Sequence, residues 1–521
     1  MSLRGTGIVA GVLALLFGAG CSSAVPVSID TGLVAGVRDG KIVSYKGIPF
    51  AEPPVGTLRW KPPQPARRWN GTLKADTYKP QCMQLGPPLP TMPEEPTNED
   101  CLYLNLWTPA AHAGPKRPVM VYLYGGGFRK GSASTPLYWG AELAKRYDVI
   151  VVNLAYRVGP LGFLVHPELT AESPHHVSGN YGLLDMIAGL EWVRRNIVAF
   201  GGDPANVTVF GQSAGAWAIN KLMISPLAEG LFNKAIAESA GDMGPARTAE
   251  GIAVLADAEK SGVAFATSLG ARSIEELRRM PADKITAARF SGLPAIPHSD
   301  GALPILDGYV IPADTYSLYA TGKQADIPLL LGYTDDEAAY MVSPIEADQY
   351  VAKIRAEYGV MADRFLALYP ASSEAEAARS QTRLMSESTV GWQVWTWARV
   401  HARTSHNKVF FYHFAGKPSF HGAELPYVFA YVLARPSGWP PGASETARVI
   451  STYWTNFAKA GDPNGAGLPV WPAFTGEGET TLYLGQSAKP GTLPDLQEHL
   501  LMEAYINSLR TDGAPAARPT Q

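Results

Sequence analysis

Ser213 stands in the sequence pattern of this chain that is most closely tied to nucleophilic chemistry. It is the centre of a Gly-x-Ser-x-Gly segment bounded by Gly211 and Gly215, which follows a β-branched and aromatic run at 207–210 and precedes an apolar, helix-like run at 216–224. This order of strand, tight turn and helix is typical of a nucleophile elbow, which lifts the serine Oγ clear of a sheet. Glycine is needed where backbone and helix approach closely. The alternative is a glycine-rich connection with a bystander serine.

A serine attacks well at neutral pH only when a base lies within hydrogen-bond distance and a third group orients that base. Three further groups each follow a predicted strand: Gly125 to Gly127 after 118–124, Asp335 to Glu337 after 327–333, and His421 after 408–414. The ends of parallel strands share one edge of a sheet, and ligands bind there. We therefore expect these groups and Ser213 to converge, in the chain order nucleophile, acid, histidine that α/β-hydrolases use.

The sequence favours one histidine as the base but leaves the acid open. His421 lies in a glycine-flanked loop after a strand and is free to reach across, whereas His413 lies inside that strand. His175 and His176 lie in a polar loop. The three acids at 335–337 all fit on spacing, and those not used would be solvated charges or helix caps.

The three consecutive glycines at 125–127 follow a buried strand directly and expose backbone N–H groups that no side chain covers. With a serine elbow elsewhere in the chain, we interpret this segment as an oxyanion-binding loop rather than a flexible connection. The elbow would point the amide of Ala214 toward the same space.

Apolar runs and helical spacing alternate along the chain. Strands are predicted at 118–124, 149–154, 207–210, 327–333 and 408–414, and helices at 181–200, 346–387, 391–401 and 446–460, with an alanine-rich helical region at 248–289. Continuous apolar runs are typical of strands buried on both faces. The pattern predicts an α/β fold with a central, mostly parallel twisted sheet, helices on both faces, and large loop and helical insertions over the active site.

Composition and charge exclude some classes of function. The 521 residues carry a formal net charge of -3, and no run of lysine or arginine indicates nucleic-acid binding or a polybasic membrane surface. No repeat or long linker divides the chain. We expect one catalytic domain at 31–510, preceded by a tether at 22–30 and followed by a disordered tail at 511–521.

The N-terminus is typical of an export signal. Arg4 precedes an apolar run at 8–17 that is too short to span a bilayer, and small residues follow it. We interpret residues 1–21 as a signal peptide, with Cys21 as a bacterial lipoprotein processing site. The alternative is ordinary cleavage after Ala24. Either route exports the mature protein, as a lipoprotein of the periplasm or outer membrane, or in secreted form.

The chain has three cysteines, and lipidation or removal of Cys21 leaves Cys82 and Cys101 as an even pair. In an oxidising compartment a disulfide between them is the default expectation. The alternative is two free buried thiols.

Nearly the whole mature chain carries segments that together resemble one known family. They are Gly47-Ile48-Pro49 with Leu58-Arg59, Glu99 to Asn105, the glycine loop, Gly179 to Asp185, Phe200 to Pro204, the elbow, His421 to Leu425, and Tyr453 to Ala458. On these motifs the chain resembles the type-B carboxylesterases, which include the cholinesterases. The resemblance implies the α/β-hydrolase fold and hydrolysis of carboxylic esters through an acyl-enzyme intermediate.

The resemblance also assigns roles to individual residues. It implies Ser213 as nucleophile, Glu337 as triad acid and His421 as base, with an oxyanion hole from the amides of Gly126, Gly127 and Ala214. It supports the Cys82–Cys101 disulfide and suggests an Arg59–Glu99 ion pair. It implies a small-molecule ester substrate and neither a cofactor nor a metal.

The sequence departs from the family pattern at three positions outside the triad. Tyr124 stands where His is common, Gln212 replaces a frequent Glu before the serine, and Ala240 replaces a Gly. Loss of a negative charge at Gln212 weakens any expectation of cationic, choline-like substrates. Two alternatives to ester hydrolysis are a non-catalytic adhesion or binding homologue, and the same triad acting on an amide, lactone or toxin ester. The intact triad favours hydrolysis.

Overall fold

The computed structural model describes residues 22–84, 95–110, 114–246, 248, 251–288, 303–476 and 480–513. Cys21, the signal segment and residues 514–521 of the predicted tail lie outside the described residues. Across the described ranges, no helix combines the length and apolar character needed to span a bilayer.

The strands of the described residues are β1 (Ser22–Ser23), β2 (Val27–Ile29), β3 (Gly32–Ala35), β4 (Val37–Asp39), β5 (Ile42–Pro49), β6 (Thr72–Lys74), β7 (Gln81–Cys82), β8 (Thr97–Asn98), β9 (Tyr103–Pro109), β10 (Arg117–Leu123), β11 (Ile150–Leu154), β12 (Gly202–Gln212), β13 (Lys234–Glu238), β14 (Leu329–Thr334), β15 (Val409–Phe414), β16 (Thr480–Leu484) and β17 (Lys489–Thr492). Twelve of them form one sheet in the order β1-β4-β5-β9-β11-β10-β12-β13-β14-β15-β16-β17. The seven from β11 to β16 run parallel. The neighbours at both edges pair antiparallel. The predicted parallel core is confirmed, and the antiparallel edges extend it.

The register of the parallel strands aligns their carboxyl ends. Leu123 of β10 pairs with Gly211 of β12, which pairs with Ala237 of β13. Ala237 pairs with Leu331 of β14, and Leu331 with Phe411 of β15. This row crosses the sheet close to the end of every strand that precedes a predicted site group. The segments that follow these strands therefore leave the sheet at one edge.

The helices of the described residues are α1 (Ala141–Tyr147), α2 (Gly159–Phe163), α3 (Pro167–Glu172), α4 (Tyr181–Asn196), α5 (Ala214–Leu222), α6 (Leu255–Ser268), α7 (Ile274–Arg279), α8 (Ala282–Ala287), α9 (Thr315–Ala320), α10 (Ala347–Tyr358), α11 (Ala362–Leu368), α12 (Glu374–Ser386), α13 (Trp392–Thr404), α14 (Leu425–Val428), α15 (Tyr431–Ala434), α16 (Ala443–Ala460) and α17 (Leu496–Gly513). A π-helical turn, Glu387–Gly391, joins α12 to α13. Helix α5 packs on β10, β12 and β13, α16 on β10 and β12, and α13 on β14 and β15. Buried strands and packed helices together form the continuous apolar core.

Most predicted helices are present with shifted ends. The run predicted at 181–200 is α4 followed by a 3₁₀ turn, Ile197–Phe200, which ends at Gly201 with φ 83°. A glycine at this left-handed position is a common helix stop. The region predicted at 346–387 is not one helix but α10, α11 and α12. Periodicity alone did not separate these helices.

A helical insertion made by α6, α7 and α8 packs on a second apolar cluster that includes Trp60 and Leu277. Arg59 joins this insertion to the N-terminal part of the chain. Its guanidinium donates to both Glu99 carboxylate oxygens, at 2.7 and 2.6 Å, and to the carbonyls of Leu277 and Met280, at 3.1 and 2.8 Å. The predicted Arg59–Glu99 ion pair is confirmed, and it lies where two parts of the chain meet.

The cysteine prediction is confirmed as well. Cys82 and Cys101 form a disulfide with an S–S distance of 2.05 Å, closing a loop across a sequence separation of 19. Both residues are buried. The bridge links β7 to the segment that leads into β9 and so fixes the base of this loop.

The structure differs from the expected boundaries at both ends of the catalytic domain. Within the predicted tether at 22–30, β1 pairs with β4 and β2 pairs with β3. At the other end, α17 continues to Gly513, past the expected start of the tail at 511. These strands are only two and three residues long and are formed by pairing with later parts of the chain. The sequence of residues 22–30 is too short to show an alternating strand pattern.

Candidate active site

Ser213 lies on the turn between β12 and α5. Its backbone has φ 56° and ψ -124°, a left-handed conformation that is costly for a residue with a side chain. Its N–H donates to the carbonyl of Glu238 at 2.8 Å, and its carbonyl accepts the N–H of Trp217 at 2.9 Å. The turn is therefore held by the neighbouring strand and by the first turn of α5. This is the backbone geometry of a nucleophile elbow.

The two flanking glycines are required by close approach to β10. A Cβ on Gly211 would lie 2.7 Å from the carbonyl oxygen of Leu123, and a Cβ on Gly215 only 1.9 Å from the same atom. Both distances are too short for any side chain. The Gly-x-Ser-x-Gly pattern therefore reflects packing of the elbow against the strand that carries the glycine loop.

The glycine loop lies directly against the serine. A Cβ on Gly125 would be 2.9 Å from the Cβ of Ser213. Gly126 and Gly127 have φ values of 122° and 63°, which glycine adopts at little cost. Among the hydrogen bonds of the described residues, none uses the amide of Gly126, Gly127 or Ala214 as a donor. Three backbone donors are thus available beside the serine.

Glu337 and His421 meet at the same edge. The Glu337 side chain is 1% exposed, and its Oε1 accepts the N–H of Thr334 at 2.6 Å. Its Oε2 is hydrogen-bonded to Nδ1 of His421. His421 Nε2 is buried and has no hydrogen-bond partner among the described residues. One nitrogen of the imidazole is therefore fixed and the other is unused.

Two opposing effects set the pKa of His421. Burial lowers it, but the charge and hydrogen bond of Glu337, together with the charge of Glu424, outweigh burial and raise the pKa above its ordinary value. A buried imidazole beside a carboxylate is stabilised in its protonated form. The imidazolium that forms when a base accepts a proton is thus favoured here.

The loop after β15 that carries His421, here called the histidine loop, also touches the elbow. Gly422, with φ 83°, follows His421, and a Cβ on it would lie 3.2 Å from Nε2 of Gln212. Gln212 is the residue before Ser213. The structure therefore brings together the elbow, the glycine loop, Glu337 and His421, as the strand order predicted.

Of the three acids that spacing left open, only Glu337 contacts His421. Asp335 is instead bonded to Nε2 of His413 at 2.5 Å and to Nζ of Lys417 at 2.8 Å. The His413 hydrogen bond, with that of Lys417, lowers the pKa of Asp335 to about 2. Asp336 Oδ1 accepts the N–H of Ala339 at 3.2 Å and caps the end of the loop.

Comparison with known proteins agrees with this geometry. Residues 23–501 match the model of the family described as the carboxylesterase family. The chain belongs to the carboxylesterase family.

Relatives and solved structures extend this likeness over most of the chain. A fumonisin B1 esterase from Sphingopyxis macrogoltabida is 38% identical over 502 residues, covering 89% of each chain. A para-nitrobenzyl esterase from Bacillus subtilis strain 168 is 36% identical over 485 residues, covering 88% of this chain and 94% of the relative. A solved PNB esterase structure superimposes with a TM-score of 0.79 at 33% identity, covering 92% of this chain and 99% of the other. The α/β-hydrolase fold and the hydrolysis of carboxylic esters follow from these findings.

Two buried carboxyl groups of this carboxylesterase were not predicted as part of the site. Glu238 ends β13 and Glu424 lies three residues after His421, and both are fully buried. Trp454 Nε1 donates to Glu238 at 2.6 Å, and the Tyr412 hydroxyl donates to Glu424 at 3.4 Å. Burial, and then repulsion from a neighbouring carboxylate, raises the pKa of each. Glu424 is part of the recognised motif, but a single acid at the end of an apolar strand gave no signal for Glu238.

The departure at Tyr124 has a structural explanation. Its ring stacks on Tyr156, with centroids 4.2 Å apart, and its hydroxyl donates to the Tyr156 carbonyl at 3.0 Å. A Cβ on Gly131 would lie 2.2 Å from this ring. Tyr124, directly before the glycine loop, is therefore held by Tyr156 and packs closely against Gly131.

An apolar rim lies beside the imidazole. The Tyr340 ring lies 5.6 Å from the His421 ring and is 68% exposed. Phe420, the residue before His421, is 50% exposed. Within the described ranges, no three His, Cys, Asp or Glu side chains are grouped as metal ligands would be. The site can therefore combine a serine, a paired imidazole and backbone amides with apolar surface.

Proposed function

We propose that this carboxylesterase acts through a triad and an oxyanion hole, formed by Ser213, His421 and Glu337, and by the amides of Gly126, Gly127 and Ala214. The observation that carries the proposal is the bond between His421 Nδ1 and Glu337 at the edge where the elbow ends. This bond leaves only Nε2 of the imidazole to act as a base. The glycine loop in contact with Ser213 supports the position of the oxyanion hole.

The proposed reaction is acyl transfer in two steps. His421 Nε2 takes the proton of Ser213 Oγ as that oxygen attacks the ester carbonyl carbon, and the resulting oxyanion is stabilised by the three amides. The tetrahedral intermediate collapses, the C–O bond to the alcohol breaks, and His421 gives the alcohol its proton. Water, deprotonated by His421, then attacks the acyl carbon of the acyl-enzyme. The bond from that carbon to Ser213 Oγ breaks, His421 returns its proton to the serine, and the acid is released. Glu337 remains ionised throughout and holds the imidazole in the productive tautomer.

Substitution of the serine tests the proposal. Ser213→Ala should lower turnover of p-nitrophenyl acetate by ~10⁴–10⁶ while the protein stays folded. Ser239→Ala is a matched control because Ser239 also follows a strand of the sheet, also has positive φ at 58°, and is fully buried. We expect it to leave the activity nearly unchanged. A Ser213→Ala variant that keeps more than about a tenth of wild-type turnover would refute the triad.

For the substrate, we propose a small ester with an apolar group that packs on the rim formed by Tyr340 and Phe420. The formal net charge of -3 supports a neutral small molecule over a nucleic acid. The names of the relatives indicate two starting compounds, fumonisin B1 and a p-nitrobenzyl ester. A p-nitrophenyl ester series from acetate upward, run beside these two compounds, tests the preference. Equal kcat/KM for short and long acyl groups would argue against packing of an apolar acyl group on this rim.

We also propose export of the mature protein through the segment at 1–21, with Cys21 as the lipid-bearing residue. The confirmed Cys82–Cys101 disulfide supports an oxidising destination. Labelling with a fatty-acid analogue, in the wild type and in Cys21→Ala, tests the anchor. Label on the wild type alone supports a lipoprotein, whereas unlabelled protein released into the medium would support cleavage after Ala24.

A further inference from the structure

A buried histidine on the C-terminal helix is bonded to two elements that end beside the triad acid. His499 of α17 is fully buried. Its Nδ1 lies 2.6 Å from Glu387 Oε1, and its Nε2 lies 3.1 Å from the Tyr333 hydroxyl. Its ring also stacks on Trp395, with centroids 5.1 Å apart and planes at 23°. The same Tyr333 hydroxyl donates to Asp495 Oδ2 at 3.4 Å, so His499 and Asp495 both hold this tyrosine.

Both partners of His499 lead directly to the segment at 334–338, here called the acid loop. Tyr333 precedes Thr334, whose N–H donates to Glu337 Oε1 at 2.6 Å. Glu387 follows Ser386, whose Oγ accepts the N–H of Ala338 at 3.1 Å. His499 is therefore connected to the start of the acid loop through β14 and to its end through the π-helical turn.

A surface cleft borders the acid loop, although Thr334, Glu337 and Ala338 are themselves buried. The cleft has a volume of about 640 Å³ and is lined by Tyr333, Thr334, Glu337, Ser386 and Glu387 among others. Beside this cleft the loop is held by polar contacts of Ala338 to Ser386 and of Asp335 to His413 and Lys417. His499 adds to them through Tyr333 and Glu387, which adjoin the two ends of the loop.

We propose that His499 is a positioning residue for the triad acid: by bonding Glu387 and Tyr333 at once, it fixes the acid loop so that Glu337 meets Nδ1 of His421. This inference rests on the proposed function of Glu337. His499 touches no reacting atom and acts only through the loop. Displacement of a catalytic group by about 1 Å is enough to lower the rate by ~10²-fold.

The main test is His499→Phe, which keeps the ring volume and its stacking but removes both hydrogen bonds. We expect kcat for p-nitrophenyl acetate to fall by ~10²-fold with KM little changed, because substrate contacts are untouched. The acid limb of the kcat/KM profile should also move to lower pH. Glu337 and Glu424 are the carboxyl groups that raise the pKa of His421, and the first of them would then be displaced. His499→Asn keeps a donor near Nδ1 and should give an intermediate loss.

The matched control is His401→Phe. His401 is another fully buried histidine, on α13, and its Nε2 contacts the carbonyl of Ile327 at 2.9 Å, near the opposite end of β14. The same substitution there should lower stability without moving the acid limb. A rate of phosphonylation of Ser213 by a fluorophosphonate, measured for each variant, reports on the nucleophile independently of deacylation.

The outcomes separate this inference from the proposed triad. Folded His499→Phe with kcat within about threefold of wild type and an unmoved acid limb would overturn the positioning role. If that variant does not fold, two others test the same connection: Tyr333→Phe removes the hydroxyl that contacts His499 and Asp495, and Ser386→Ala removes the acceptor of the Ala338 N–H. Unchanged kcat in both would overturn the positioning role equally. Should Glu337→Gln itself retain full activity, the proposed function rather than this inference is at fault.

Discussion

Replacing Glu337 by glutamine makes a sharp test of the site, because the structure dictates how the new amide would lie. The Thr334 N–H donates to Glu337 Oε1 at 2.6 Å, so this position must keep an oxygen acceptor. The amide NH₂ group is then directed toward His421 Nδ1, where the carboxylate Oε2 now lies. An NH₂ group only donates, so Nδ1 would have to accept, and the imidazole proton would move to Nε2.

The magnitude follows from this change of tautomer. With its proton on Nε2, His421 cannot accept the proton of Ser213, although all the groups remain in place. Loss of the correct tautomer in a serine triad costs ~10⁴ in kcat. At 1.36 kcal/mol for each tenfold change, this corresponds to about 5.4 kcal/mol of lost transition-state stabilisation. Glu337→Gln is isosteric, so we expect its secondary structure to match that of the wild type.

The assay is steady-state hydrolysis of p-nitrophenyl acetate by Glu337→Gln and by its matched control, Asp335→Asn. The control removes the same charge two residues earlier, from a carboxylate that pairs with His413 and Lys417 instead of His421. We expect it to change kcat by less than about threefold, the size of an indirect effect. If Glu337→Gln remained within about tenfold of wild type, or if Asp335→Asn were the less active variant, the assignment of the triad acid would be refuted.

Three further predictions concern pH, the glycine loop and the disulfide. Glu337 raises the pKa of His421 above 6.5, so we expect kcat/KM to fall as pH drops through a value above 6.5, where the imidazole becomes protonated. A pH-stat profile of kcat/KM with its acid midpoint clearly below 6.5 would contradict this expectation. Gly126→Ala should lower kcat by ~10²–10³, because the added Cβ would lie 2.0 Å from the carbonyl oxygen of Lys130. At Gly127 the nearest atom is 3.9 Å away, so Gly127→Ala should cost only about 1–2 kcal/mol of backbone strain. Equal losses of kcat in the two variants would contradict this expected difference. Joint replacement of Cys82 and Cys101 by serine should lower the free energy of unfolding by ~3 kcal/mol, given their sequence separation of 19. Denaturant titration measures this loss, and an unchanged unfolding midpoint would contradict it.

The position of the site in the fold could be predicted because the patterns that define it are local. Continuous apolar runs identified five of the seven parallel strands, β10, β11, β12, β14 and β15, but not β13 or β16, and parallel pairing then required their ends to share one edge. A Cβ on Gly211 or Gly215 would lie only 2.7 or 1.9 Å from the Leu123 carbonyl oxygen, so no other residue type fits at either position. Such constraints are visible in the sequence without knowledge of tertiary contacts.

The choice among the three acids could not be made in this way. Asp335, Asp336 and Glu337 lie within three residues of each other, and their side chains take three different partners. Two contacts distinguish Glu337 from the two aspartates: the hydrogen bond from the Thr334 N–H and the approach of the histidine loop. Both depend on the folded backbone and cannot be read from the spacing of the acids. His499 was invisible for the same reason, because 112 residues separate it from Glu387.

The departure from the family pattern at Gln212 is consistent with the charges that surround it. In the sheet, Gln212 pairs in register with Glu238, so the two side chains point to the same face from adjacent strands. Glu238 is fully buried, and repulsion from Glu424 adds to burial in raising its pKa. A third acid at position 212 would lie beside this pair, and mutual repulsion would favour protonation of one of the carboxyl groups. With a neutral amide there, the charged carboxylate in contact with the imidazole is Glu337, which is compensated by the Thr334 N–H and by His421 itself. The raised pKa of His421 can thus depend chiefly on one carboxylate, which is why substitution of that residue is the decisive experiment.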